Sequence, residues 1–198
     1  MAKANKPVAT TEVANITIIP TRVMMKPKTN TVSAIYKEVK PMANNGNSIV
    51  NSVNTTFGME PTQDLINCFK RMVAHLLFAS ENPKAYAYDL NEHYKKLISG
   101  DDATYEFKNW FCSGVSVRDE GAAIQGGYFK KNGQVINCNV PLVRYEQESL
   151  YPYTADLQAA INDINDEFSK FVLGKFVAPA QLTADFSPKV EQEQEQAA

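Results

Sequence analysis

The sequence predicts an α+β protein built on an antiparallel curved sheet or a partly open OB-like barrel, with a helical insertion and a C-terminal amphipathic helix. Three observations predict it. Runs rich in β-branched and aromatic residues, punctuated by turn-forming clusters, lie on both sides of a helical block. Within that block, apolar side chains from Leu65 to Leu77 recur at three- and four-residue steps. Leu157, Ile161, Ile164, Phe168 and Phe171 then recur in strict 4-3-4-3 steps.

Taken in order, Val13 to Met25 reads as a strand with Pro20 as a break, followed by Thr31 to Val39 and a weaker Ser48 to Phe57. The clusters Lys26-Pro27-Lys28-Thr29-Asn30 and Ala43-Asn44-Asn45-Gly46-Asn47 supply the turns. Pro61 and Thr62 start a helix whose apolar face is Leu65, Ile66, Phe69, Met72, Val73, Leu76 and Leu77. Asn82 as N-cap and Pro83 as first helical residue open a second helix, through Leu90, Tyr94, Leu97 and Ile98, closed by Gly100. Strands resume with Phe111 to Arg118, Ala122 to Lys130 and Gln134 to Tyr145. Asn132-Gly133 suits a tight hairpin with positive φ at both turn positions, and Gly126-Gly127 marks a bulge or a close approach. The last helix starts at Thr154, carries Asp156 in its first turn and ends at Gly174. Its stripe is expected to dock on the protein's own sheet rather than on another subunit.

This gives a single α+β domain over residues 12–176, with the helical insertion at 61–100. A disordered N-terminal arm is expected over 1–11, and an acidic low-complexity tail over 177–198. The tail ends in alternating Glu and Gln followed by Ala197 and Ala198. Neither a signal peptide nor a membrane span is legible, so a cytoplasmic protein is expected. Three cysteines, Cys68, Cys112 and Cys138, are an odd number at wide separations and fit neither a disulfide framework nor a zinc site.

The net charge of −2 conceals a gradient. Residues 1–50 hold seven basic and two acidic groups, 51–100 five of each, 101–150 five and seven, and 151–198 three and eight. A basic front and acidic rear suit contact with a polyanion, the tail competing for the cationic surface.

Catalytic groups are sparse. His75 reads as a partly buried structural residue, and His93, one turn after Asp89, as half of a surface pair. Asp89, Glu92 and His93 make a poor metal cluster. Asp101-Asp102, and Asp163 with Asp166 and Glu167, read as solvated surface acids. The glycines lack phosphate-loop spacing. No enzyme, cofactor or metal is expected.

Basic residues interleaved with aromatics remain. Arg22, Lys26, Lys28, Tyr36, Lys37 and Lys40 form one group; Trp110 lies on another strand beside Phe111; Tyr128, Phe129, Lys130 and Lys131 reach a hairpin tip; Arg144 ends a strand. Bases stack on exposed rings while Lys and Arg neutralise phosphates, and neither contact needs a motif. The competing reading makes the aromatics core and the lysines edge-strand protection. Trp110 and Phe111, as neighbours on a strand, must face opposite sides. In broad layout the chain resembles bacteriophage single-stranded-DNA-binding proteins, which implies a replication or recombination role and recruitment of replication proteins by the acidic tail. The tail departs from that group in lacking a terminal aromatic residue. The expected partner is therefore single-stranded DNA or RNA, with no membrane. The alternative is a structural or assembly protein, a homo-oligomer built through the last helix and the sheet edges.

Overall fold

Alternation of buried and exposed side chains organises the strands. In β1 (Thr17–Met25) Ile18, Pro20, Val23 and Met25 turn inward, and in β2 (Val32–Pro41) Val32, Ala34 and Tyr36 do the same. The structure, a computed structural model, describes residues 16–42, 47–100, 102–146 and 150–174. The expected arm and tail lie outside the described residues.

β1, β2 and β3 (Ser48–Thr56) form one antiparallel meander, and β4 (Trp110–Arg118), β5 (Gly121–Phe129) and β6 (Val135–Arg144) form another. β1 pairs with β4, so the sheet runs β3-β2-β1-β4-β5-β6. That central pairing covers only Arg22↔Ser116, Val23↔Val115 and Met24↔Gly114, a shorter register than at any other junction. Among the described residues β3 and β6 lie at opposite edges and do not meet, so the sheet is open, in keeping with the antiparallel curved sheet expected.

Pro20 does not end β1. It sits beside a register shift between Pro20 and Arg22, and the strand continues past it. At the hairpin of β5 and β6, Gly133 takes φ 81° while Asn132 keeps the ordinary sign. Gly133 N–H donates to the Lys130 carbonyl and Lys130 N–H to that of Gln134, so the turn is one residue longer than the expected pair with two positive φ angles. Gly126 marks a close approach: a Cβ there would collide with the Phe111 carbonyl and with Leu76 of the first helix.

The helices cover one face. α1 (Gln63–Ala79), capped by Thr62, packs on β4, β5 and β6, while α3 (Thr154–Gly174) packs on β1 and on α1. The α3 stripe from Leu157 to Phe171 is buried within the protein, as expected. Phe168 sits edge-on to Tyr36 and Phe57, with ring centroids 5.5 and 5.9 Å apart.

The second helix differs from expectation. α2 (Leu90–Ser99) is capped by Asp89 in a reciprocal box with Glu92, while Asn82 accepts from the Lys84 amide ahead of a short 3₁₀ turn at Ala85–Ala87. Gly100 ends α2 in the left-handed conformation at φ 68°, as predicted. This layout buries His93, which is no surface group: its Nε2–H donates to the Ala85 carbonyl at 2.9 Å, leaving Nδ1 to accept from the Tyr105 hydroxyl. His75 is fully buried between the Tyr151 hydroxyl, at 2.7 Å, and that of Tyr94.

Burial pushes the His75 imidazole down to about 3 and lowers His93 as well. An unfolded histidine titrates near 6.5, so below that pH the unfolded chain binds protons the native chain refuses. Stability is thus at its plateau above about pH 6.5 and falls as pH drops toward 3, His75 alone costing about 2 kcal/mol by about pH 5. Urea melts across this window should show the decline, and His75→Gln should flatten it.

Candidate nucleic-acid interface

The face opposite the helices is where the strands place their remaining side chains. From register, it carries Ile19, Arg22 and Met24 of β1, Ile35 and Lys37 of β2, Phe111 of β4, Gln125 and Phe129 of β5, and Asn137 of β6. The six strands hold Arg22, Lys37, Lys40, Arg118 and Arg144 against one carboxylate, Glu38, which lies on the helix side with Tyr36. The other carboxylates sit on helices and connections, including Asp156, Asp163, Asp166 and Glu167 of α3. The strands are therefore mostly cationic, whereas the helices carry both signs.

One end of this face is the most developed. Phe111 and Phe129 face each other across β4 and β5 with ring centroids 4.7 Å apart, both half-buried. The turn from β1 to β2, held by Lys26 N–H donating to the Thr31 carbonyl, leans over them and places Lys28 Nζ 5.6 Å from the centre of the Phe129 ring. Lys26, Lys28, Phe111, Phe129 and Asn137 line a cleft of about 370 Å³. A second cleft of about 250 Å³ shares Pro27, Phe111 and Phe129, and continues past Lys70, Lys108 and Trp110 toward α1. Among the described residues no carboxylate lines either one.

The residues expected to bind divide by position. Lys26, Lys28, Phe129, Lys130 and Lys131 gather at this end of the sheet, and the last two are exposed at the hairpin tip. Arg22 stands mid-face, where Gln125 accepts from its Nη2 at 3.0 Å. Lys37 is exposed on the same face and Arg144 on β6, but both lie toward the far end.

Four residues face the other way. Tyr36 is enclosed in the core under α3, its hydroxyl donating to Glu38 at 3.4 Å, and no ligand on the open face can reach it. Lys40 pairs with Glu38 at 3.9 Å on that same side. Trp110 and Tyr128 stack on each other at 5.0 Å beside Phe107, on the helix side of the sheet, where Trp110 lines only the inner reach of the second cleft. Of the neighbours Trp110 and Phe111, the sequence favours Trp110 for the expected set, whereas the structure leaves Phe111 on the open face. Strand alternation already required it to oppose Trp110, but only the covering helices decide which of the two is left open.

Other chemistry is limited among the described residues. Burial raises the Cys68 thiol to about 11 and the Cys112 thiol to about 12, so neither is a nucleophile near neutrality. Asp102 pairs with Lys96 at 2.6 Å. Among the described residues no group of three or more His, Cys, Asp or Glu side chains converges on a metal position, and no helix is long and apolar enough to cross a membrane.

Fold and face together define an α+β protein whose open six-stranded antiparallel sheet is helix-covered on one side and cationic and aromatic on the other. No protein-family model, no curated protein and no solved structure matches this chain.

Proposed function

We propose that the chain is a non-enzymatic protein that binds single-stranded DNA in replication or recombination, across the open face of its sheet. The observation that carries this reading is the pair of joined clefts, lined among the described residues by Phe111, Phe129 and lysines and by no carboxylate. A flexible single strand can lay a base against either ring while its phosphates meet Lys26, Lys28, Lys130 and Lys131. A rigid duplex offers no unstacked base to such a cleft.

A labelled oligonucleotide titrated at several salt concentrations tests the reading. The logarithm of the association constant should fall linearly with the logarithm of salt, by about 0.7 per phosphate neutralised. Lys26→Ala with Lys28→Ala should lower the steepness by about 1.4 and weaken binding alike for all sequences. Absence of binding at low salt, or a duplex bound as tightly as a single strand, would overturn the proposal.

The acidic tail adds a second expectation. Removing residues 178–198 deletes acids that compete for the cationic face, so the shortened chain should bind the same oligonucleotide more tightly, most visibly at low salt.

A further inference from the structure

We infer that β3 is a self-association edge, at which two copies of this chain join their sheets across a two-fold axis. Edge strands normally carry defences against pairing, such as charges, prolines or bulges. β3 has none. Its nine residues, SIVNSVNTT, include no charged residue and no proline, and its register with β2 is unbroken from Ser48 to Thr56. Ile49 and Val50 are 48% and 55% exposed at this edge. The opposite edge, β6, is interrupted by a register shift, contains Pro141 and ends in Arg144.

The backbone shows how the pairing would run. Phe57 N–H donates to the Val32 carbonyl, and hydrogen-bonded pairs alternate along an antiparallel ladder. Ile49, Asn51, Val53 and Thr55 therefore direct their backbone groups at β2. Ser48, Val50, Ser52, Asn54 and Thr56 direct theirs outward, and no described strand lies there to receive them. An antiparallel copy centred on Ser52 sets Ser52 against its own equivalent, Val50 against Asn54, and Ser48 against Thr56. Every outward donor then meets an outward acceptor, and no like charges oppose each other. Because the second copy uses the same edge, the assembly closes at two, while Pro141 in β6 works against open-ended stacking of sheets. The outward-bonding residues also lie on the open face, so the two cationic faces become one continuous surface.

Sedimentation of the full chain without nucleic acid tests this independently of the binding proposal. A dimer is expected at micromolar concentration. Ser52→Pro removes only an outward donor and should give a folded monomer, since the β2 ladder does not use the Ser52 amide. Ser52→Lys sets two like charges on the two-fold axis and should also give a monomer. As a positive reading, Ser52→Cys should cross-link into a dimer under mild oxidation when the parent chain does not, because directly opposed hydrogen-bonded residues lie about 5.5 Å apart, within disulfide reach. A wild-type chain that stays monomeric, or a dimer that survives both Ser52→Pro and Ser52→Lys, would overturn the inference.

Discussion

Replacing Phe111 and Phe129 together by alanine is expected to weaken single-stranded DNA binding by at least about 2 kcal/mol, roughly thirtyfold. The two rings meet at 4.7 Å at the junction of the clefts, and Lys28 lies over one of them. Removing them deletes the stacking surface but leaves every lysine, so affinity should drop while the steepness of its salt dependence stays near that of the parent. That combination separates the variant from the lysine substitutions, which change the steepness itself. Anisotropy titrations at several salt concentrations, on protein shown by circular dichroism to be folded, give both quantities. An affinity unchanged by the double substitution would remove base stacking at this site from the proposal.

Phe168→Ala is expected to produce the largest loss of stability, about 3–5 kcal/mol. Its ring is fully buried and meets Tyr36, Phe57 and Phe171 at centroid distances of 5.5, 5.9 and 6.4 Å. The cavity would open where α3 meets the first meander, and a domain holds only about 5–15 kcal/mol in all. Urea denaturation should show the midpoint fall with little change in slope. The fraction still folded should bind oligonucleotide like the parent, because the lost ring lines neither cleft.

The two substitutions mark what could be read from the sequence. α3 was fully legible, since five apolar residues at 4-3-4-3 spacing admit one buried stripe and the structure buries all five. The six strands were legible in outline because turn clusters bracket them. Pro20 misled because a proline can sit at a bulge without ending its strand. Asn82 misled because an Asn-Pro pair also suits the entry to a 3₁₀ turn, and the true cap, Asp89, shows only through its box with Glu92. The candidate surface was half legible. Alternation separates Trp110 from Phe111 and Tyr36 from Lys37, but it does not say which face the helices will cover. That depends on contacts such as Leu76 against Gly126, between residues fifty positions apart, which no local pattern encodes.

The short pairing at the middle of the sheet has a consequence for how the molecule assembles. Within each meander the paired strands follow one another closely in sequence, whereas Arg22 and Gln125, which meet across the centre, are 103 positions apart. Closing so long a loop must precede any reward from the contacts it makes. The halves should therefore reach their own shape early, and the joint between β1 and β4 should set last and open first. A strand of DNA lying across both halves would act as a splint on that joint.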